Sequence, residues 1–114
     1  MGNRELALRA VACKHWRWLP GMAYTDHTGM LWRVGPGGLM GLEGECLPVL
    51  HDSATRGCLL DLVRQVWKDQ SMTTHMIKRN AHTVWRVGRL GVMPFGGEYR
   101  RELEALIAAL ENAP

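Results

Sequence analysis

The chain has 114 residues, of which 46% are hydrophobic and 22% charged, a balance that excludes intrinsic disorder and suits a core formed without a metal or disulfide staple. Its 14 Lys and Arg against 11 Asp and Glu leave a net charge of +3, which permits a nucleic-acid partner without dictating one. No stretch approaches the roughly 18 apolar residues of a membrane span, Arg4, Glu5 and Arg9 interrupt Met1 to Ala12, and an odd count of 3 cysteines suits reduced thiols, so a cytoplasmic protein that neither enters a membrane nor is secreted is expected.

Asn3 to His15 reads as a helix, with Asn3 at its N-cap and Leu6, Ala10 and Cys13 on one face. Trp16, Arg17 and Trp18 then alternate in the period of a strand until Pro20-Gly21 breaks it. Met22 to Val34 has the pattern of a hairpin around the polar turn Thr25 to Gly29, and Gly35 to Gly38 is a further turn. Met40 to Leu50, with Gly41, Gly44 and Pro48, reads as an irregular connection holding at most a short edge strand.

Asp52 or Ser53 caps the best-marked helix, whose apolar residues Cys58, Leu59, Leu62, Val63, Val66 and Trp67 recur at i, i+3 and i+4. Arg56, Asp61, Arg64 and Lys68 on its other side read as a solvated face. Thr73 to Lys78 and His82 to Val87 form a second hairpin around Arg79, Asn80 and Ala81. Gly88 to Gly97 is expected to stay irregular until a last helix with Tyr99, Leu103, Leu106, Ile107 and Leu110 on its face and Glu98 near its start. The order predicts an α+β fold, three helices packed on antiparallel β-hairpins in an αββαββα-like sandwich, with residues 1–114 as a single domain.

The stretch His27 to Gly35 echoes His82 to Gly88 through the shared Trp-Arg-Val-Gly, which fits either a duplicated hairpin-plus-helix unit or chance among strand formers. On both readings Trp32 and Trp85 belong on the core side of their strands and Arg33 and Arg86 on the other.

The candidates for chemistry are weak. Cys13, His15, Cys46, His51, Cys58, His75 and His82 are zinc-ligand types at no recognised spacing, so no metal and no cofactor is expected. His51-Asp52-Ser53 has triad residue types, but adjacent residues cannot orient one another as a triad does, and capping explains Asp52 and Ser53. Gly35 to Gly38 and Gly88 to Gly91 lack the Lys and Ser or Thr of a phosphate loop. These readings together predict a protein that is not an enzyme. Alternation could place Arg17, Arg33 and Arg86 on one basic sheet face near Tyr24 and His27, able to contact nucleic acid, although Asp26, Glu43 and Glu45 in the same half favour a merely solvated face. With 5 tryptophans, an exposed one would mark an interaction surface, and Trp16 and Trp18 are the candidates for contact with a partner protein or a second copy in a homodimer.

Trp16-Arg17-Trp18-Leu19-Pro20, then Asp52, Ala54-Thr55 and Gly57-Cys58-Leu59-Leu60, then Glu102-Leu103-Glu104-Ala105-Leu106, in this order of elements, resemble the small phage α/β/α sandwich domain. The likeness spans nearly the whole chain but rests on residues of packing and capping type, and it departs from the usual pattern at Gly35 to Gly44 and Gly88 to Gly97. It implies a protein encoded by a bacteriophage or prophage, acting in the bacterial cytoplasm, in a family whose members mostly lack an assigned activity. The expected function is therefore a phage accessory protein that binds a host or phage protein, with inhibition of a host defence system as its purpose, and nucleic-acid binding is the alternative.

Overall fold

The computed structural model describes residues 2–39, 46–89 and 95–114. Its elements run α1 (Asn3–Ala12), β1 (Ala23–Thr25), β2 (Leu31–Arg33), β3 (Leu47–Pro48), α2 (Ser53–Val66), β4 (Met72–Arg79), β5 (His82–Arg89), β6 (Phe95–Tyr99) and α3 (Glu102–Glu111). The class is α+β, and the strands form two three-stranded antiparallel sheets, ordered β2-β1-β3 and β4-β5-β6. Each expected hairpin thus carries a third strand, and the order is αβββαβββα. No helix among the described residues is long and apolar enough to cross a membrane.

α3 organises the larger core. Leu103, Ala105, Leu106, Ile107, Ala108 and Leu110 are all buried, more of its circumference than an ordinary surface helix hides. It packs against all three strands of the second sheet and against both other helices. Leu6, Ala7 and Ala10 of α1, Leu59, Leu62 and Val63 of α2, and Met72 and Val87 of the second sheet close around it. A smaller cluster, Met22, Tyr24 and Val34, lies under the first sheet. Trp16 and Leu19 touch both clusters and join them.

The second hairpin forms as its sequence predicts, in continuous register from Met72↔Arg89 to Arg79↔His82. The connection is Asn80-Ala81, with Asn80 at φ 54°, a left-handed conformation that asparagine tolerates better than most residues. The first hairpin also forms, and β3 is the short edge strand expected of the 40–50 stretch, with Pro48 facing no further strand. The remainder of that reading, 40–45, lies outside the described residues.

Four expectations are corrected. α1 ends at Ala12 and its cap position is Gly2, so Asn3 does not cap it; the Asn3 Oδ1 instead accepts from Arg101 at the start of α3. Trp16 to Trp18 is not a strand: between the turn closed by Trp16 N–H on Cys13 C=O and the turn at Gly21 (φ 98°), the chain stays irregular, since β1, whose Tyr24 Trp18 touches, is already flanked by β2 and β3. Tyr99 and Glu98 belong to β6, where Tyr99 pairs with Trp85, and α3 begins three residues later. The glycine-rich 88–97 stretch is correspondingly less irregular than expected, since β5 continues through Gly88 to Arg89 and β6 starts at Phe95; 90–94 lies outside the described residues. The echoed segments also differ in setting, because β2 is an edge strand and β5 a central one.

Candidate functional site

Among the described residues, five large apolar side chains stay exposed, and three of them are consecutive on the first hairpin, Met30 at 58%, Leu31 at 64% and Trp32 at 43%, whereas Leu8 on α1 and Met76 on β4 stand singly. The polar turn that carries them is held by one carboxylate. Asp26 Oδ1 accepts from the Thr28 amide (2.9 Å), the Thr28 hydroxyl (2.5 Å) and the Met30 amide (3.0 Å), and Oδ2 accepts from the Trp32 indole N–H (2.9 Å). This ties the indole to the turn, on the sheet face it shares with its register partner Tyr24. Trp32 thus lies on the face of its strand that carries the buried Tyr24, as expected, but at the sheet edge it stays outside both clusters, whereas Trp85 packs against the larger one.

β2 is also an open edge. Val34 N–H donates to Met22 C=O and the Met30 carbonyl accepts from Asp26 N–H, so even-numbered residues turn their backbone groups toward β1. By alternation, those of Leu31 and Arg33 face away from the sheet. Edge strands are commonly guarded by Lys, Pro or extreme shortness. The opposite edge, β3, is two residues long and contains Pro48, whereas β2 reads Leu-Trp-Arg and its single charge is already engaged.

That charge, Arg33, joins the first sheet to α2. Its Nη1 donates to the Gly21 carbonyl (2.6 Å), and its two terminal nitrogens reach the Asp52 carboxylate at 3.2 and 3.1 Å. Asp52 is the N-cap of α2 and accepts from the Thr55 amide (3.0 Å) and hydroxyl (3.1 Å). Thr55 Oγ1 in turn accepts from the Ala23 amide of β1 at 2.8 Å. The His51-Asp52-Ser53 run is therefore a capping element with Asp52 committed to structure.

The Arg33 guanidinium and the Thr55 amide hold Asp52 well below its ordinary value of 3.8. Bonds from the Thr28 hydroxyl and the Trp32 indole do the same for Asp26. Both carboxyls bind a proton more readily in the unfolded chain, so the stability they contribute is complete above the ordinary carboxylate range and is lost as pH falls through it toward the folded values. The urea midpoint is expected to hold steady from about pH 7 to 5 and to drop below about pH 4. Asp52→Asn should start lower at neutral pH and show a flatter acid limb.

The residues singled out by sequence fall in different places. Trp16 and Trp18 are half-buried. Trp16 meets Trp18 edge-on at 5.3 Å between ring centroids, and Trp18 meets Tyr24 edge-on at 5.6 Å, both within the range of favourable aromatic pairs. Tyr24 is the cross-strand neighbour of Trp32, so the two tryptophans stand behind the exposed edge. The indole nitrogen of Trp16 is buried without a hydrogen-bond partner among the described residues.

Arg17, Arg33 and Arg86 do not share a sheet face. Arg17 lies outside any strand and donates to Gln65, Arg33 is on β2, and Arg86 is on β5 of the other sheet. Alternation could not unite residues that belong to no common sheet. Cys13 packs on the larger cluster and Cys46 and Cys58 on the smaller, with burial raising the Cys58 thiol above its ordinary value. Among the described residues, no three of His, Cys, Asp and Glu stand together in a ligand-like group. A hollow of about 310 Å³ between the end of α2, β5, β6 and α3 is lined by Trp67, Val87, Tyr99, Ala105, Ala108 and neighbours, with Tyr99 the single ionisable side chain among them.

Met30, Leu31 and Trp32 went unmarked in the sequence because strand alternation and the echo with Trp85 both pointed Trp32 inward. The available signal was the hairpin's length: a three-residue strand beside a polar turn offers little sheet for an indole to cover. A comparison of the chain with protein-family models, with curated proteins and with solved structures found no match.

Proposed function

We propose that this chain is a non-enzymatic binding protein that engages another protein at the open edge of β2. The observation that carries the reading is the exposed Met30-Leu31-Trp32 row on an unguarded edge strand. A partner segment in extended conformation would add as an antiparallel strand, taking its hydrogen bonds from the backbone of Leu31 and Arg33 and covering the apolar side chains. The electrostatics favour protein over nucleic acid here: Arg33 is matched by Asp52, and Asp26, kept ionised by its hydrogen bonds, would repel a phosphate backbone.

Trp16 and Trp18 support the surface from behind through Tyr24. A host or phage protein is the partner that accords with the phage-domain resemblance, and capture of such a protein to block a defence system is the role proposed for it.

The test is binding to partners drawn from bacterial lysate by the intact protein and by Leu31→Lys, which puts a charge on the edge and touches no core residue. A specific partner whose capture drops at least tenfold in Leu31→Lys, and which slows amide exchange at Leu31 and Arg33, is the expected result. Capture equal in both proteins would overturn the reading. Light scattering separates the remaining occupant, since a dimer that becomes a monomer in Leu31→Lys would assign the edge to a second copy of the chain.

A further inference from the structure

Near the start of α2, a second feature gathers residues that are far apart in sequence. His51 and Arg56 come from the start of α2, Trp85 from the middle of β5, and Arg100, Arg101, Glu102 and Leu103 from the junction of β6 and α3; together they line a cleft of about 470 Å³. Three guanidinium groups and an imidazole face one carboxylate. Arg101 donates to Asn3, while Arg56 and Arg100 are exposed and make no ion pair with any described residue. Bringing like charges together in a concavity is unfavourable unless an anion offsets it, and such a cleft concentrates the field that attracts one.

Two further features specify the anion. α3 starts at the rim and no side chain caps its first turn, so its leading amides are open to an anion, although Glu102 and Glu104 in the same turn offset part of their potential. Trp85 is half-buried, held from behind by the larger core, and presents an indole to the cleft, the platform on which a nucleobase stacks. The volume falls within the range of about 300 to 1,000 Å³ typical of small-molecule clefts. An inorganic anion would use the arginines and leave the tryptophan idle. A phosphate joined to a base uses both.

We propose that this cleft binds a nucleotide unit, with its phosphate held by Arg56 and Arg100, supported by Arg101 and His51, and its base against Trp85. The unit comes either from a single-stranded nucleic acid or from a free nucleotide, and the site is separate from the β2 edge.

The experiment is fluorescence anisotropy of labelled octathymidylate with the intact protein at low salt, with thymidine monophosphate and inorganic phosphate as competitors. Arg56→Gln combined with Arg100→Gln alters two exposed side chains and should weaken binding at least tenfold, lowering the log–log salt slope by about one for each arginine removed. Arg17→Gln, outside the cleft, and Leu31→Lys, on the β2 edge, should bind as the parent does. Trp85→Phe should keep most of the affinity, and thermal unfolding of each variant confirms that it is folded.

Monophosphate competing as well as unlabelled octamer would assign a free nucleotide, and octamer competing far better would assign a single strand; both uphold the site. Absence of binding at low salt, binding that survives the double arginine change, equal loss in Arg17→Gln, or phosphate competing as well as the monophosphate would each overturn it. None of these results bears on the β2 edge, whose variant is carried here as a control.

Discussion

Leu106→Ala is expected to lower the unfolding free energy by about 2–5 kcal/mol, toward the upper end of that range, read from the urea midpoint at unchanged slope. Leu106 is fully buried on α3, the helix that touches both other helices and all three strands of the second sheet. Truncation there removes the transfer free energy of the lost methyl and methylene groups and leaves a cavity that elements constrained from several directions cannot collapse to fill. A loss of that size is a large part of the 5–15 kcal/mol that holds a domain of this kind together. The same truncation at Leu31, 64% exposed, should change stability by less than about 0.5 kcal/mol. The pair separates two kinds of leucine that the sequence does not distinguish, one that organises the fold and one left available to a partner. A comparable loss at both positions would mean that the first hairpin packs more tightly than its exposure indicates.

The helices and both hairpins were legible because their signals are local. Asp52 before a clean i, i+3, i+4 face defines α2, and Asn80 between two β-prone runs defines the turn of the second hairpin. The misreadings share a cause: the same spacing satisfies two local rules, and a distant neighbour decides between them. Tyr99 lies four and seven residues before Leu103 and Leu106, as on a helix face, but β5 has an edge that β4 does not cover, and Tyr99 pairs there with Trp85. Trp16 and Trp18 alternate as in a strand, but β1, whose Tyr24 touches Trp18, is already flanked by β2 and β3, and the two indoles stack edge-on instead.

The sites were less legible than the elements. The exposure of Trp32 depends on the narrow first sheet and on the Asp26 tether. The arginine cleft depends on the start of α2 meeting the start of α3, which brings Arg56 beside Arg100. The basic residues chosen by alternation, Arg17, Arg33 and Arg86, were sought along strands, whereas those that converge stand at helix starts.

Thr55→Val is expected to lower stability by about 1–3 kcal/mol although it preserves the size and shape of the side chain. Thr55 is fully buried and Ala23 is 2% exposed. The threonine hydroxyl accepts the Ala23 amide and donates to Asp52, so valine leaves a buried N–H with no acceptor, and the desolvation of that group is then uncompensated. The chain has no easy substitute, because β3, the strand on that side, pairs with β1 through Tyr24↔Pro48 and Thr25↔Leu47, and the Val49 carbonyl just beyond already accepts from the Asp52 amide. Thr55→Ser keeps the hydroxyl and loses one methyl, about 1 kcal/mol or less, so serine should lie between valine and the parent. The location of the damage is the sharper test: amide exchange should quicken at Ala23, Tyr24 and Val34 before it quickens in β4 and β5, since Thr55 ties the first sheet to α2 while the second sheet is held by α3. That local loosening should also weaken binding at the β2 edge, whose register depends on β1, and leave binding at the arginine cleft unchanged. Uniform quickening across both sheets would show instead that the two clusters unfold as one unit, with Trp16 and Leu19 coupling them too tightly for the first sheet to open alone.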